Sequence, residues 1–315
     1  MIEVVTIGET MVAFIPNSNT YLRYVNSFGK VTAGAESNVS VGLSKLGHTS
    51  GWISKLGDDE FGEFILRELR GEGVDTSRVL RTNLAPTGIM FKQLSSDKES
   101  SVFYYRKGSA ASLLCPEDLD EEYIKQARIL LISGITPALS NSCKETVLRA
   151  IEIARANKVL VCFDPNIRRK LWNEDAARMT LLPILSLSDI VLLGDDEANI
   201  LLGETDQEKI VEALRKLNVR WIAVKKGKEG AYVADSENEF SIPIFPMKVV
   251  DTIGAGDAFN AGFISGLLEN RPVEECGKMA SIMGAFAVSS PGDVEGLPNR
   301  KTFDRVASNI KETQR

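Results

Sequence analysis

The chain has 315 residues, of which 43% are hydrophobic, and its 37 lysines and arginines stand against 43 aspartates and glutamates, which gives a net charge of −6. This composition argues against disorder and against a nucleic-acid binder, which needs a basic face to displace counterions from phosphates. His48 is the only histidine and the four cysteines contain no CxxC pair, so a site made of several histidines is excluded and neither a zinc ribbon nor a disulfide framework is indicated.

The first nine residues, Met1 to Glu9, carry two acids and no basic group ahead of an apolar stretch. Secretory signal peptides begin with a basic segment, so none is expected here. No window approaches the roughly 18 uninterrupted apolar residues of a membrane span. We therefore expect a cytoplasmic protein with no membrane partner.

Five short apolar runs end in glycine, aspartate or a polar turn, which is typical of strands buried in a parallel sheet. Four stretches place apolar residues three and four positions apart, as amphipathic helices do. In chain order the sequence predicts a strand at 4–8, helices at 38–46 and 61–69, a strand at 129–134, a helix at 144–156, strands at 159–164 and 190–194, a helix at 208–217, a strand at 221–225 and a polar surface helix at 300–315. Strands that alternate with helices predict a doubly wound α/β sheet.

Two stretches, approximately 11–31 and 88–106, interrupt this rhythm because they alternate apolar and aromatic residues without a helical period. The second folds around the polar turn Ser95-Ser96-Asp97-Lys98, as a β-hairpin does. We expect the two stretches to pair into a small sheet beside the α/β core. From the pattern alone, this sheet is either a lid over a cleft or an interface or surface decoration. No repeat or long linker divides the chain, so 1–315 is predicted to be a single domain.

The most informative segment is Asp251 to Phe263, with the sequence DTIGAGDAFNAGF. Its glycines, Gly254 and Gly256, precede a helical run, and such a turn exposes backbone N–H groups at the positive end of the helix dipole, where phosphate binds. Asp257 lies at the same turn. A carboxylate repels phosphate, but it suits a base that deprotonates a hydroxyl as the hydroxyl attacks phosphorus. A plain helix N-cap is the alternative role for this aspartate.

This segment resembles the carboxy-terminal signature DTxGAGDxFxxG of the ribokinase-like (PfkB) sugar kinases at every position. The segment 33–40, AGAESNVS, resembles the amino-terminal counterpart, with Ala33 in place of the first glycine of a pair, and 55–62 resembles the next block. The resemblance covers essentially the whole chain. It implies a ribokinase-like, three-layer, mostly parallel sheet with a small β-sheet lid.

The same resemblance implies ATP and Mg²⁺, bound without a Walker A loop, and the sequence indeed contains no GxxxxGK[ST]. It implies that Asp257 is the catalytic base and that Gly254, Ala255 and Gly256 form an anion hole that also contacts the nucleotide. Activation by a monovalent cation is left open.

For the rest of the nucleotide site, the resemblance implies that Lys225, Gly227 and Gly230 belong to a glycine loop at the end of a strand, with a plain β-turn as the alternative. Glu197 matches the acid of the family's NxxE block, which organises Mg²⁺ and phosphate through water. Gly194 replaces the asparagine of that block. Ser281 lies where many members carry an asparagine near the adenine.

Two arginines bear on the acceptor. Arg106 ends the second lid stretch, and Arg168 follows a core strand at its carboxyl end, where α/β sheets bind ligands. Arginine binds a carboxylate through paired charge-assisted hydrogen bonds. The surrounding segments resemble those of 2-keto-3-deoxygluconate kinases, although the second also resembles fructokinases and either arginine alone could form a structural ion pair.

From this resemblance we expect Arg106, Arg168 and Tyr104 to hold the carboxylate and keto end of a sugar acid, with Gly34 and Asn38 on its hydroxyls. The remaining residues expected to bind substrate are Asn166, Met90 and Asp293. Met90 stands where related kinases carry a tyrosine, and a thioether is a poor hydrogen-bond partner, so one contact is either missing or made by water. Asp293 resembles an acidic contact to the distal end of the substrate, or it is a turn residue.

The sequence thus predicts ATP-dependent phosphorylation of 2-keto-3-deoxygluconate at its terminal C6 hydroxyl. The first alternative is a fructokinase or ribokinase that acts on a neutral sugar. The second is a regulator that binds sugar or nucleotide without catalysis. The apolar strands of the lid would also allow a homo-oligomer.

Overall fold

The structure of the protein is a computed structural model that describes residues 2–18, 20–94 and 100–313. Its strands are β1 (Val4–Ile7), β2 (Met11–Pro16), β3 (Phe28–Ala33), β4 (Ser50–Gly57), β5 (Val79–Thr82), β6 (Ile89–Leu94), β7 (Ser100–Tyr105), β8 (Ile129–Ser133), β9 (Leu160–Asp164), β10 (Ile190–Gly194), β11 (Trp221–Lys225), β12 (Ala231–Ala234) and β13 (Glu239–Ile242). Its α-helices are α1 (Ala35–Lys45), α2 (Glu60–Gly71), α3 (Glu121–Lys125), α4 (Asn141–Ala156), α5 (Glu174–Ser186), α6 (Asp195–Leu202), α7 (Gln207–Lys216), α8 (Ala255–Leu268), α9 (Val273–Val288) and α10 (Arg300–Thr313).

The larger sheet has nine strands in the order β13-β12-β11-β10-β9-β8-β1-β4-β5. The run from β5 to β11 is parallel, and β12 and β13 are added antiparallel at one edge. The strands predicted from apolar runs lie at the centre of this sheet, where both faces are covered. The carboxyl ends of the parallel strands therefore share one edge, which is where an α/β sheet places its ligands.

Helices cover both faces of the larger sheet. On one face, side chains of α4, α5, α6 and α7 pack on alternate strand residues such as Val5 and Ile7. On the other face, α1, α8 and α9 pack on the intervening residues, among them Val4. This is the three-layer α/β architecture that the sequence predicted, and it fixes the beginnings of α1 and α8 near the same edge of the sheet.

The smaller sheet, here called the lid sheet, consists of β3, β2, β6 and β7 in that order. Strands β2 and β6 run parallel and join the two stretches that were expected to pair, and the first stretch continues two residues beyond its predicted end, to Ala33. One face stacks aromatic rings, with Phe14 and Phe91 at 4.9 Å between centroids. The other face carries small or flexible apolar residues, including Met11 and Met90. The hairpin β6–β7 is confirmed, while its turn at Ser95–Lys98 lies outside the described residues.

The polar helix predicted at 300–315 is present as α10. Within the described ranges, no helix combines the length and the apolar character that a bilayer crossing requires.

Candidate active site

A cavity of about 850 Å³ lies between the lid sheet and the edge of the larger sheet where the parallel strands end. The lid sheet contributes Met90 and Tyr104, and the core contributes the first turns of α1 and α8 and the segments after β8 and β9. Most of the predicted substrate-binding and catalytic residues line this one cavity, namely Gly34, Asn38, Met90, Tyr104, Arg106, Arg168, Gly254, Asp257 and Asp293. Asn166 is buried beside it, with φ of 38° and its N–H bonded to the Asp164 carboxylate.

The beginning of α8 is shaped by Gly254, which is the N-cap residue and has φ of +77°. A Cβ at this position would lie 2.5 Å from the backbone oxygen of Asp293, so glycine is required by conformation and by space. The next backbone N–H groups, from Ala255 to Asp257, belong to the first helical turn and have no partner within the helix. The alternative of an aspartate N-cap is therefore wrong, because Gly254 occupies the cap and Asp257 is the third helical residue.

Asp257 accepts a hydrogen bond from the side-chain amide of Asn38, with 2.8 Å between Nδ2 and Oδ2. Burial raises the pKa of Asp257 to about 7; the Asn38 amide opposes the rise, and the Asp164 and Asp293 carboxylates add to it. A base is most effective when its pKa lies close to the working pH. The environment of Asp257 thus suits proton transfer near neutrality.

Asp293 faces Asp257 across the same amide and is paired with a lysine that the sequence analysis did not identify. Lys92 lies 3.2 Å from Asp293, and their side chains are only 4% and 6% exposed. Asn38 also donates to Asp293, at 3.2 Å. One feature of the sequence could have indicated this lysine. Side chains alternate between the two faces of β6, so Lys92 lies on the same face as Met90.

Arg106 forms a buried ion pair with Glu9, a residue that the sequence analysis also missed. Glu9 accepts a further hydrogen bond from the hydroxyl of Ser109, whereas the Arg106 Nε has no partner among the described residues. Arg106 therefore does form a structural ion pair, and its residue lines the cavity while its Nε is itself buried. The Tyr104 ring lies beneath this guanidinium and beneath the ammonium of Lys170, at 5.8 and 5.4 Å.

Arg168 differs from Arg106 because it is exposed at the cavity and makes no ion pair with any of the described residues. Its neighbour Arg169 pairs with Glu174 instead. The charge on Arg168 acts on Asp257, whose pKa it lowers. A free guanidinium at this position is available to an anionic ligand.

Glu36, also missed by the sequence analysis, is a buried carboxyl on α1. Its Oε1 accepts a hydrogen bond from the Thr136 hydroxyl at 2.7 Å, and its Oε2 has no partner among the described residues. Burial raises the pKa of Glu36 to about 7. The carboxyl packs so closely on Gly8 that a larger residue there would collide with it.

Behind the beginning of α8, a second polar cluster joins the ends of β9, β10 and β11. Lys225 lies 2.9 Å from Asp164, and the Asn260 amide donates to the same carboxylate at 2.6 Å. Burial opposes the charge on Lys225, but Asp164 and Glu197 outweigh it and hold the pKa of the ammonium above its usual value. The ammonium is 4.0 Å from where a Cβ on Gly256 would lie, which places it beside the glycine turn.

Glu197 fixes two loops, since it accepts hydrogen bonds from the N–H of Ile167 at 2.8 Å and of Gly194 at 2.7 Å. Burial and the neighbouring Asp164 raise its pKa. Gly194 caps α6 with an ordinary φ of −84°, and a Cβ there would make only normal contacts. An asparagine would therefore fit where this chain has glycine.

The other residues predicted for the nucleotide do not line the cavity. Gly227 and Gly230 belong to the turn between β11 and β12 and have φ of +53° and +91°. Ser281, on α9, donates to the carbonyl of Pro243 and accepts from the N–H of Phe245, so it fastens the segment after β13. Their roles toward a nucleotide stay predictions.

The chain matches the family model "pfkB family carbohydrate kinase" over residues 1–300. It is 40% identical to the 2-dehydro-3-deoxygluconokinase of Bacillus subtilis (strain 168), with 95% of this chain and 94% of the relative covered, and 36% identical to the enzyme of the same name from Thermoproteus tenax, with 97% and 94% covered. A crystal structure of an E. coli protein described as ribokinase II, in complex with ATP and Mg²⁺, superposes with a TM-score of 0.91 at 25% identity, with 98% and 100% covered. The chain therefore belongs to the PfkB family of carbohydrate kinases.

Proposed function

We propose that the protein phosphorylates 2-keto-3-deoxygluconate, also named 2-dehydro-3-deoxygluconate, at its C6 hydroxyl with ATP as the donor. The observation that carries this proposal is the placement of Asp257 beside the free N–H groups of α8, in a cavity that also presents the unpaired Arg168. The names of the two similar relatives support the same acceptor.

In the proposed reaction, Asp257 accepts the proton of the C6 hydroxyl while the hydroxyl oxygen bonds to the γ-phosphorus. The bond between that phosphorus and the β,γ-bridging oxygen breaks, and ADP leaves with the electron pair. The backbone N–H groups from Gly254 to Asp257 stabilise the negative charge on the transferred group, which is the main task in a loose transition state. The raised pKa of Asp257 makes the carboxylate a competent acceptor near neutral pH.

The nucleotide in this proposal binds against Lys225, Gly227, Gly230 and Ser281. The position of Lys225 beside the glycine turn supports this placement. Carboxylate oxygens suit Mg²⁺, and Glu197 is the residue we assign to it, through water; when bound, Mg²⁺ neutralises charge on the phosphates. Within the described ranges no three metal-ligating side chains converge, which fits a cation shared with the nucleotide phosphates rather than held by a protein cage.

The acceptor's carboxylate and keto end are assigned to Arg168, Arg106 and Tyr104, and its hydroxyls to Gly34 and Asn38. Paired hydrogen bonds from a guanidinium suit a carboxylate. The ion pair between Arg106 and Glu9 would serve a neutral sugar equally well. The free charge of Arg168 distinguishes the two, because a neutral acceptor gives it no counterion.

The lid sheet is proposed to cover the acceptor and exclude water from the transferred phosphoryl group. Two contacts join neighbouring positions of β6 and β7 in the lid sheet to different segments of the core, one after α9 and one after β9. One joins Lys92 to Asp293, and the other joins the ammonium of Lys170 to the carbonyl of Val102 at 2.8 Å.

A steady-state assay with ATP, Mg²⁺ and a panel of acceptors tests the proposal. The panel contains 2-keto-3-deoxygluconate, its galactonate-derived epimer, 5-keto-2-deoxygluconate, fructose and ribose. We expect the highest kcat/KM for 2-keto-3-deoxygluconate, with the phosphate on C6 of the product. A higher kcat/KM for fructose or ribose would establish the neutral-sugar alternative, and no phosphorylation of any acceptor would favour the non-catalytic regulator.

A further inference from the structure

Lys92 is the one ammonium that the lid sheet buries at the cavity among the described residues. It lies on β6, between apolar neighbours on the cavity-facing side of the sheet, and its ion pair with Asp293 bridges 201 positions of sequence. A buried charge is costly unless it is paired, so an ammonium retained in this place needs a reason beyond packing.

The ion pair continues as a chain of contacts that ends at the proposed base. Asp293 binds Lys92 through Oδ1 and the Asn38 amide through Oδ2. The same amide nitrogen binds Asp257 at 2.8 Å. An amide nitrogen has two hydrogens, so the two carboxylates together fix the orientation of Asn38.

We propose that Lys92 is a positioning residue for Asp257: by holding and neutralising Asp293, it keeps Asn38 and the base in place and shields the base from a second carboxylate. This inference rests on the proposed phosphoryl transfer. Lys92 belongs to the lid sheet, whereas Asp293, Asn38 and Asp257 belong to the core. The position and protonation of Asp257 therefore depend on how the lid sheet packs on the core.

In this series of contacts, Asp293 is the residue whose charge acts directly on Asp257, and it raises the pKa of Asp257. Loss of the lysine exposes the base to the whole charge of Asp293, whereas loss of the Asp293 charge removes the repulsion. The two substitutions therefore have opposite effects on the base. The charged groups that act on Asp257 are Glu36 on α1, Asp164 at the end of β9, Arg168 after β9, Lys225 at the end of β11, and Asp293 after α9.

The experiment measures the pH profile of kcat/KM for the acceptor with saturating ATP, in the variants Lys92→Met and Asp293→Asn. A nearby charge shifts a carboxyl pKa by about one unit or more. The acid limb is the part of the profile where kcat/KM rises with pH as the base loses its proton. We expect its midpoint to lie about one pH unit higher in Lys92→Met and at a lower pH in Asp293→Asn. Lys92→Arg, which keeps the charge, should leave the limb much closer to that of the wild type than Lys92→Met does.

Lys30→Met is the matched control, since Lys30 lies on β3 of the same sheet but is exposed and contacts the Phe64 ring instead of the cavity. Its profile should match that of the wild type. Opposite shifts separate positioning from a structural role, because a loss of packing lowers kcat/KM without moving the limb. If Lys92→Met does not fold, the profile of Lys92→Gln is measured in its place, and an acid limb that stays in place in that variant overturns the proposal.

Acid limbs that stay in place in both variants, or that move in the same direction, overturn the proposal. The choice of acceptor is kept separate: if the wild type prefers a neutral sugar, the function proposed above fails, and the same profiles are measured with that sugar. If the wild type turns over 2-keto-3-deoxygluconate and both limbs are unmoved, only the role of Lys92 fails.

Discussion

Replacement of Asp257 by asparagine removes the proposed base with little change in shape. The new side chain keeps an oxygen for the Asn38 amide, so the contact at 2.8 Å can persist. General bases contribute about 10²- to 10⁴-fold to rates, and we expect kcat to fall within this range while the KM for ATP stays within about twofold. In the wild type, a base with a pKa of about 7 predicts that kcat/KM rises about tenfold between pH 6 and pH 8.

The same substitution should stabilise the protein. Burial raises the pKa of Asp257 from 3.8 to about 7, so the folded state binds a proton more tightly than the unfolded state and loses stability as pH rises from about 4 to 7. The full cost above pH 7 is at most about 4 kcal/mol. Asp257 keeps some surface on the cavity, where solvent screens it, so we expect a gain of about 2 kcal/mol, or roughly 4 °C in Tm, for Asp257→Asn at pH 8.

Thermal denaturation of the wild type and Asp257→Asn between pH 4.5 and 8 measures this difference. The gain in Tm should be small at the acid end and complete at pH 8. Asp175→Asn is the matched control, because Asp175 is also in the first turn of a helix, α5, but is exposed and away from the cavity. A gain that does not grow with pH, or that equals the control, would refute the link between burial, proton affinity and catalysis at Asp257.

Four further substitutions test separate features. Arg168→Ala should raise the KM for the sugar acid about 10- to 100-fold but the KM for ATP less than twofold, and equal effects on both would contradict its assignment. Glu36→Gln should raise Tm at pH 8 but hardly at pH 5, because burial raises the pKa of Glu36 to about 7. Gly254→Ala should destabilise the protein by about 1–3 kcal/mol and abolish turnover, since φ is +77° there. Met90→Tyr should lower the KM for the sugar acid about fivefold if its hydroxyl reaches the substrate, as steady-state kinetics would reveal.

The central strands could be predicted because parallel strands covered on both faces read as continuous apolar runs. Strand β4 was not predicted, since polar residues interrupt it. The structure satisfies them through distant partners: Ser50 donates to the carbonyl of Ser40 and Ser54 to that of Gly8. These hydrogen bonds form only in the folded chain, so no local sequence pattern predicts them.

Helix α9 escaped prediction for a related reason. Its apolar residues do not form one narrow stripe, because the helix packs both on α8 and on the edge strands β12 and β13. The contact with α8 is so close that a Cβ on Gly262 would lie 2.7 Å from the Cα of Ala280. Gly262 and Gly266 of α8 thus serve close helix packing, which a hydrophobic period does not encode.

The residues of the site divide in the same way. Gly254 and Asp257 lie in a glycine turn whose local pattern suggests chemistry, and Asn38 lies in a segment that resembles the family's amino-terminal signature. The structure brings all three to one cavity. Lys92 and Glu36 are functional candidates only through their tertiary partners. A single lysine in a strand is normally predicted to face solvent. Only the packing of the lid sheet over Asp293 buries Lys92.

The charges around the cavity are compatible with the two anionic substrates of the proposed function, although the protein carries a net charge of −6. Glu9 is matched by Arg106, Asp293 by Lys92 and Asp164 by Lys225, so most buried carboxylates are neutralised by a fixed partner. Asp257 has no such ion pair among the described residues, and burial together with the nearby carboxylates of Asp164 and Asp293 raises its pKa. Among the arginines that line the cavity, Arg106 and Arg169 are paired with carboxylates and Arg168 is not, within the described residues. In the proposed function, an acid acceptor brings its own negative charge to Arg168, while its hydroxyl meets the Asp257 carboxylate. In the proposed function, local pairing of charges rather than the overall charge is therefore what favours an acid acceptor.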